Sequence, residues 1–161
     1  MQNKILIFSA TYNEAENIQD FLKCIEELDI EVDVLIIDDN SPDKTWKIIQ
    51  EYIKDKKNIH LIIRDKKEGL DTAHKIAYEY SITNNYHFLI TLDSDMSHDP
   101  KKIPEFINEL KTNSFVIGSR YIPGGKCNMK GWRLFFSHFG NKFCKESDSR
   151  WSSEKGRNFS C

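Results

Sequence analysis

Five short apolar runs, separated by stretches of helical periodicity, constrain this chain more than any other feature. Ile5–Phe8, Val32–Ile37, Ile59–Ile63, His87–Leu92 and Phe115–Gly118 are short and rich in strand formers. Between them, Glu14 to Leu28 puts Ile18, Phe21, Leu22, Ile25 and Leu28 on one helical face. Ser41-Pro42 supplies a cap and a first-turn proline for a helix through Trp46, Ile49 and Ile53. Thr72 to Thr83 lines up Ala73, Ile76, Ala77 and Tyr80, and Pro100 opens a helix through Phe106, Ile107 and Leu110. Strands that alternate with helices, and that are apolar along nearly their whole length, predict an α/β fold. The sheet is mostly parallel, Rossmann-like, with helices on both faces.

Such sheets bind ligands beyond the carboxyl ends of their strands, where strand order reverses. Polar residues should therefore gather just after each strand, and they do. Thr11 to Glu14 follows the first run, Asp38 to Ser41 the second and Arg64 to Asp71 the third; Asp93-Ser94-Asp95 follows the fourth and Ser119-Arg120 the fifth. Beyond Arg120 the pattern changes. Pro123-Gly-Gly125 is a turn signal, and Trp132 to Phe143 reads as an apolar, amphipathic helix; residues 144–161 are polar and aperiodic, as in a disordered end.

The chain length of 161 residues suits one domain. No apolar run approaches the roughly 20 residues of a membrane helix, and no secretory signal opens the chain. Four scattered cysteines lack a CxxC pair, which points away from zinc and from a disulfide framework, toward a reducing compartment. Residues 1–119 hold fourteen Lys and Arg against twenty-two Asp and Glu, whereas residues 120–161 hold nine against three. A basic end on an acidic body suits a phosphate or an anionic lipid surface, though a solvated charged tail has the same composition.

Asp93 and Asp95 end an apolar strand beside a turn. Two carboxylates so placed can reach one hard cation, Mg²⁺ or Mn²⁺, which takes oxygen ligands and bridges to phosphates. An acidic surface loop would read the same way in isolation. Asp38 and Asp39 suit hydrogen bonds to a base or ribose, and equally suit a helix start. GxGxxG, GxxxxGK[ST] and GxSxG are all absent, which argues against dinucleotide oxidoreductases, P-loop enzymes and serine hydrolases.

Taken together, Ala10-Thr-Tyr-Asn-Glu14, Asp38-Asp-Asn-Ser-Pro-Asp43, Glu68-Gly-Leu-Asp-Thr-Ala73, Leu92-Asp-Ser-Asp-Met-Ser-His-Asp-Pro100 and Ile117-Gly-Ser-Arg-Tyr121 resemble the family 2 glycosyltransferases. The Ser97 to Pro100 ending, Gly118 to Gly125 and Gly131-Trp132 resemble the dolichol- or polyprenol-phosphate mannosyltransferase branch. The resemblance runs over about residues 4–143. It implies a GT-A catalytic domain over residues 1–143, with the helix at about 132–143 at a membrane interface. It implies transfer of mannose, with inversion, from GDP-mannose to a polyprenyl (dolichyl) phosphate. Thr11, Tyr12, Glu14, Asp38, Asp39, Asp93 and Ser94 would meet the nucleotide. Asp93 and Asp95 would hold Mg²⁺ or Mn²⁺. Asp95 and Arg120 would serve catalysis, and Arg120, Arg133 and Ser137 would hold the acceptor phosphate and sugar.

A lipid phosphate has a second pKa of about 6 and is already a nucleophile at neutral pH, so the site needs cations near the acceptor rather than a general base. The expected location is the cytosolic face of a membrane, that of the endoplasmic reticulum in a eukaryote, with a small membrane anchor subunit as partner. Nucleic acid is not an expected partner.

The chain departs from the family at three places. Ala10 replaces a usual Pro. Asp71 replaces a second Gly, where an extra carboxylate would repel a diphosphate. Residues 145–161 resemble nothing in the family, as in a chain truncated or shifted in frame after about Cys144 and weak in turnover. The competing readings are a family 2 enzyme for a UDP-sugar, a truncated or regulatory nucleotide-binding chain with little activity, and a response-regulator-like module. The last leaves Gly118 to Trp132 unexplained.

Overall fold

A computed structural model describes residues 3–118 and the backbone of residues 158–159. The elements are β1 (Ile5–Thr11), α1 (Ile18–Glu26), β2 (Asp33–Asp38), α2 (Thr45–Tyr52), β3 (Ile59–Ile63), α3 (Leu70–Thr83) and β4 (Phe88–Thr91). A short 3₁₀ turn, Pro100–Lys102, leads into α4 (Ile103–Leu110), followed by β5 (Ile117–Gly118) and β6 (Asn158–Phe159). The chain divides into two compact units, Met1–Glu105 and Phe106–Cys161.

The first unit holds a four-stranded sheet in the order β3-β2-β1-β4, with every pair parallel. Its register sets Thr11 beside Asp38, and Asp38 beside Ile63. On the other side of β1, Phe8 lies beside Thr91. Parallel neighbours need right-handed crossovers. The chain moves one way through β1, β2 and β3 and then jumps back to β4, so α1 and α2 cover one face and α3 the other.

The side chains obey that division. Leu6, Phe8, Leu35 and Ile37 form one buried cluster with Ala73 and Ala77 of α3. The two alanines remove bulk, so the helix axis can approach the sheet. Ile5, Ile7, Val34 and Ile36 alternate to the opposite face. There α1 buries Ile18, Phe21, Leu22 and Ile25, α2 buries Ile49, and Ile103 is buried as α4 begins.

Four boundaries differ from the sequence expectation. The first helix starts at Ile18, because Glu14 to Asn17 forms a turn in which the Glu14 carbonyl accepts from Asn17 N (3.0 Å) and Ile18 N (2.9 Å). The second helix starts at Thr45 after a left-handed Lys44 (φ 67°) with no side-chain cap, so Ser41-Pro42 precedes it rather than capping and opening it. α3 starts at Leu70, because Gly69 turns the chain at φ +94°. With ψ at 157°, this is a conformation that residues with a side chain rarely adopt, so the position favours glycine. The fifth expected strand shrinks to Ile117–Gly118. In the second unit it pairs in parallel with β6 rather than extending the four-stranded sheet, and Phe115 and Ile117 stay exposed. The expected helix at about 132–143, and the rest of 144–161, lie outside the described residues.

Phe21 is fully buried, while Ile82 is 75% exposed. Phe21→Ala should therefore cost about 3–5 kcal/mol of stability and Ile82→Ala less than about 0.5 kcal/mol. Urea melts of the two variants check this, and comparable losses would contradict the assigned core.

Candidate active site

Strand order reverses at β1, between β2 and β4. The crevice expected in such a sheet opens beyond the carboxyl ends of β1 and β4. Loops from all four strands end there. Their backbones are unusually constrained: Asn13, Asn40, Lys44 and Met96 have φ of 62°, 51°, 67° and 61°. Left-handed conformations cost non-glycine residues on the order of 1 kcal/mol or more each, and they persist only where neighbours enforce them.

The loop after β2 does most of the enforcing. Asp38 is fully buried and accepts three hydrogen bonds: Thr11 Oγ1 (2.8 Å), Ser41 N (2.8 Å) and Ser41 Oγ (2.6 Å). Ser41 Oγ in turn accepts from Asn13 N at 3.1 Å. One turn on, Asp43 accepts from the Thr45 hydroxyl (2.6 Å), Thr45 N (3.0 Å) and Ala15 N (3.0 Å), while Thr45 Oγ1 accepts from Glu14 N at 2.9 Å. Tyr12-Asn13-Glu14 is thus fixed by side chains of the next loop. Thr11 and Asp38, both expected at the nucleotide, are buried and bonded to each other. Their side chains position the loops.

Asp39 is 8% exposed and is held at Oδ1 by Arg64 Nε. The same guanidinium donates to Thr72 Oγ1 (2.5 Å) and to the Gly69 carbonyl (3.0 Å). Asn40 Nδ2 reaches the Asp65 carbonyl at 3.2 Å. Asp71, the residue in place of a second glycine, lies in the first turn of α3, where a carboxylate complements the helix dipole. Tyr12 remains 37% exposed, with Lys67 Nζ 3.9 Å from its ring centre. Glu14 is half-buried and accepts from Asn17 Nδ2 at 2.9 Å.

Asp93 and Asp95 are exposed, and Ser94 between them is only 2% exposed. The strand has ended at Thr91, and Ser94 and Asp95 lie in the turn that follows, with Ser94 buried between the two exposed carboxylates. Ser94 is therefore removed from the side chains open to a ligand. Asp95 Oδ1 accepts from Ser97 N at 2.9 Å. That backbone bond, helped by the Ser97 side chain and His98 and opposed by some desolvation, holds the Asp95 carboxyl below the usual carboxylate range.

His98 Nδ1 lies 3.2 Å from Asp93 N and 3.5 Å from Asp93 Oδ2. One nitrogen cannot both accept the N–H and donate to the carboxylate. The shorter of the two contacts is the one from the Asp93 N–H to Nδ1. Among the described residues no group of three His, Cys, Asp or Glu could hold a metal ion. Two solvent-facing carboxylates do fit a hard cation that takes the rest of its oxygen shell from phosphates and water. Arg120, Arg133 and Ser137 lie outside the described residues.

Residues 7–159 match the family model described as Glycosyl transferase family 2. The chain belongs to glycosyl transferase family 2. It is similar to the undecaprenyl-phosphate mannosyltransferase of Micrococcus luteus, with 33% identity over 80% of this chain and 52% of the relative. It is similar to the polyprenol monophosphomannose synthase of Mycolicibacterium smegmatis, with 30% identity over 88% of this chain and 55% of the relative. The chain therefore spans about half the length of these curated relatives. A mannosyltransferase of Pyrobaculum calidifontis, solved with GDP-Man and Mn²⁺, superposes with a TM-score of 0.62 at 17% identity, over 85% of this chain and 38% of that one. This likeness bears on the fold, which is the expected GT-A arrangement.

Within this family 2 domain, sequence reasoning singled out the strand-end carboxylates but missed the residues that hold them. Arg64 was visible only as the first polar residue after an apolar strand. Ser41 and Asp43 read as a helix start but lie ahead of α2, which begins at Thr45, and their bonds to the Asn13 and Ala15 N–H groups have no sequence signature.

The Asp43 carboxyl is pushed up by desolvation and pulled down further by the Thr45 hydroxyl and the Ala15 and Thr45 N–H groups, so it titrates below its ordinary value. A depressed folded pKa stabilises the fold above the unfolded pKa of about 3.9, and that contribution disappears as pH falls through the folded value. Asp43→Asn should accordingly be less stable than the parent at about pH 7, with the gap narrowing as pH falls below the ordinary carboxylate range of about 3.9. Urea melts above and below that range test it, and an unchanged gap would refute the carboxylate's role.

Proposed function

We propose that this domain binds GDP-mannose through a divalent cation, and that the protein it belongs to transfers mannose with inversion to a polyprenyl (dolichyl) phosphate. The observation that carries the reading is the placement of Asp93 and Asp95 at the carboxyl end of β4, across the switch point from Tyr12 and Glu14 after β1. The names of the 30–33% identical relatives, both lipid-phosphate mannosyl enzymes, support the donor and acceptor.

In this reading Asp93 and Asp95 hold Mg²⁺ or Mn²⁺. When bound, the cation supplies charge neutralisation on the departing diphosphate. Asp95, kept ionised by Ser97, is ready as a ligand without losing a proton. Tyr12 offers an exposed ring face to the nucleobase once Lys67 moves from it, and Glu14 and Asp39 offer acceptors to the nucleoside. Arg120, Arg133 and Ser137 serve the acceptor phosphate and the transferred sugar. The acceptor is already anionic, so these residues orient and neutralise it rather than deprotonate it.

The catalytic domain would cover residues 1–143, with the helix at about 132–143 lying in the membrane interface. Among the described residues no helix is long and apolar enough to cross a membrane. A lipid acceptor places the reaction at a membrane surface, with the cytosolic face and a small anchor subunit as the finer proposal.

Calorimetry with GDP-mannose and with UDP-glucose, each with and without Mn²⁺, tests the donor. Tighter, Mn²⁺-dependent binding of GDP-mannose is expected. Asp95→Ala should weaken it by more than about tenfold, the scale at which even outer partners of a metal ligand act. Binding that survives Asp95→Ala, or that prefers UDP-glucose, would overturn the reading. Labelled mannose transfer to a polyprenyl phosphate tests the acceptor.

A further inference from the structure

Arg64 is a buried cation in a part of the fold where three loops meet. Its side chain is only 6% exposed, and it is the first residue after β3. Its backbone N–H donates to the Asp38 carbonyl at 2.8 Å, which extends the β2–β3 ladder by one bond. Its guanidinium then divides its donors. Nε holds Asp39 Oδ1, while the two terminal nitrogens hold Thr72 Oγ1 (2.5 Å) and the Gly69 carbonyl (3.0 Å). Glu68 is more distant, at 4.0 Å. With these donors engaged and the side chain covered, Arg64 has no face for a ligand.

We propose that Arg64 is a positioning residue for the nucleotide donor, acting through Asp39. The inference rests on the donor reading above and adds to it a residue with no ligand contact of its own. A carboxylate free to rotate loses entropy on accepting a ligand's hydrogen bond. One clamped through Oδ1 keeps its other oxygen in a fixed direction and does not pay that cost. The fork also ties Asp39 to the turn at Gly69, so the loop after β2 and the start of α3 are set by one side chain. Lysine keeps the charge but offers a single point donor, unable to span Asp39, Thr72 and Gly69 together.

A double-mutant cycle on the 161-residue chain tests this, read by calorimetric Kd for GDP with Mn²⁺. Arg64→Lys should weaken GDP by about tenfold, and Asp39→Asn by at least as much. In the Asp39→Asn background, Arg64→Lys should cost less than about twofold, because the group it acts through is gone. A merely structural arginine would give the same loss in both backgrounds, and that result overturns the proposal, as does an unchanged Kd in Arg64→Lys alone. Thermal melts confirm that each variant is folded. Should Arg64→Lys unfold, Thr72→Val removes one tether of the same guanidinium and carries the same cycle. Failure of the parent chain to bind GDP with Mn²⁺ would overturn the donor reading and this inference together. Binding by the parent with full additivity would overturn the inference alone.

Discussion

The buried carboxyl of Asp38 is the interaction on which the rest of the ligand-facing end depends. A polar group of this size, removed entirely from water, is costly unless it is hydrogen-bonded. Three donors meet that requirement, and they come from two loops: Thr11 at the end of β1, and Ser41 after β2. The carboxyl therefore folds its own loop back and holds the end of the neighbouring strand at the same time. Ser41, fixed by Asp38, then fixes Asn13.

From that point the constraint spreads in two directions. Toward β1, Asp43 and Thr45 secure the N–H groups of Ala15 and Glu14. Toward β3, Asp39 and Asn40 reach Arg64 and the Asp65 carbonyl. The loop from Asp38 to Thr45 thus sets the loops on either side of it, and left-handed residues at Asn13, Asn40 and Lys44 are held in place by the result. Such a frame holds the backbone of Tyr12 to Ala15 in one conformation. The turn after β4 is built separately. Asp95 closes it by accepting from Ser97, and Asp99 caps the next turn by accepting from Lys101 N at 3.0 Å.

Much of this was legible in the residues. Each apolar run marked a strand, because parallel strands buried on both faces leave little room for polar side chains. The helix faces followed from spacing, and Ala73 and Ala77 showed where a helix would come close. The carboxylates after β4 were legible because polar residues that end apolar strands have few places to go but the ligand end of the sheet. Asp38 shows what the sequence leaves out. Its position at a strand end marks it as a candidate site residue, and its burial and its three hydrogen bonds appear only in the folded chain. Adjacent residues Asp38 and Asp39 have the same chemistry in sequence. Only the strand pleat, which turns one inward and the other toward Arg64, separates them.

The sequence by itself determined the order of elements, the parallel sheet and the set of residues eligible for the site, since these follow from hydrophobic periodicity and from turn and cap chemistry within a few residues of each position. Tertiary structure decided which eligible residues stay exposed and which are buried holding their neighbours. It decided that β1 lies between β2 and β4, and so where the crevice opens. It decided that Arg64 serves Asp39, and that the short strand after α4 pairs with residues 158–159 rather than with the main sheet. Those outcomes depend on contacts between residues up to tens of positions apart, and local periodicity carries no record of such contacts.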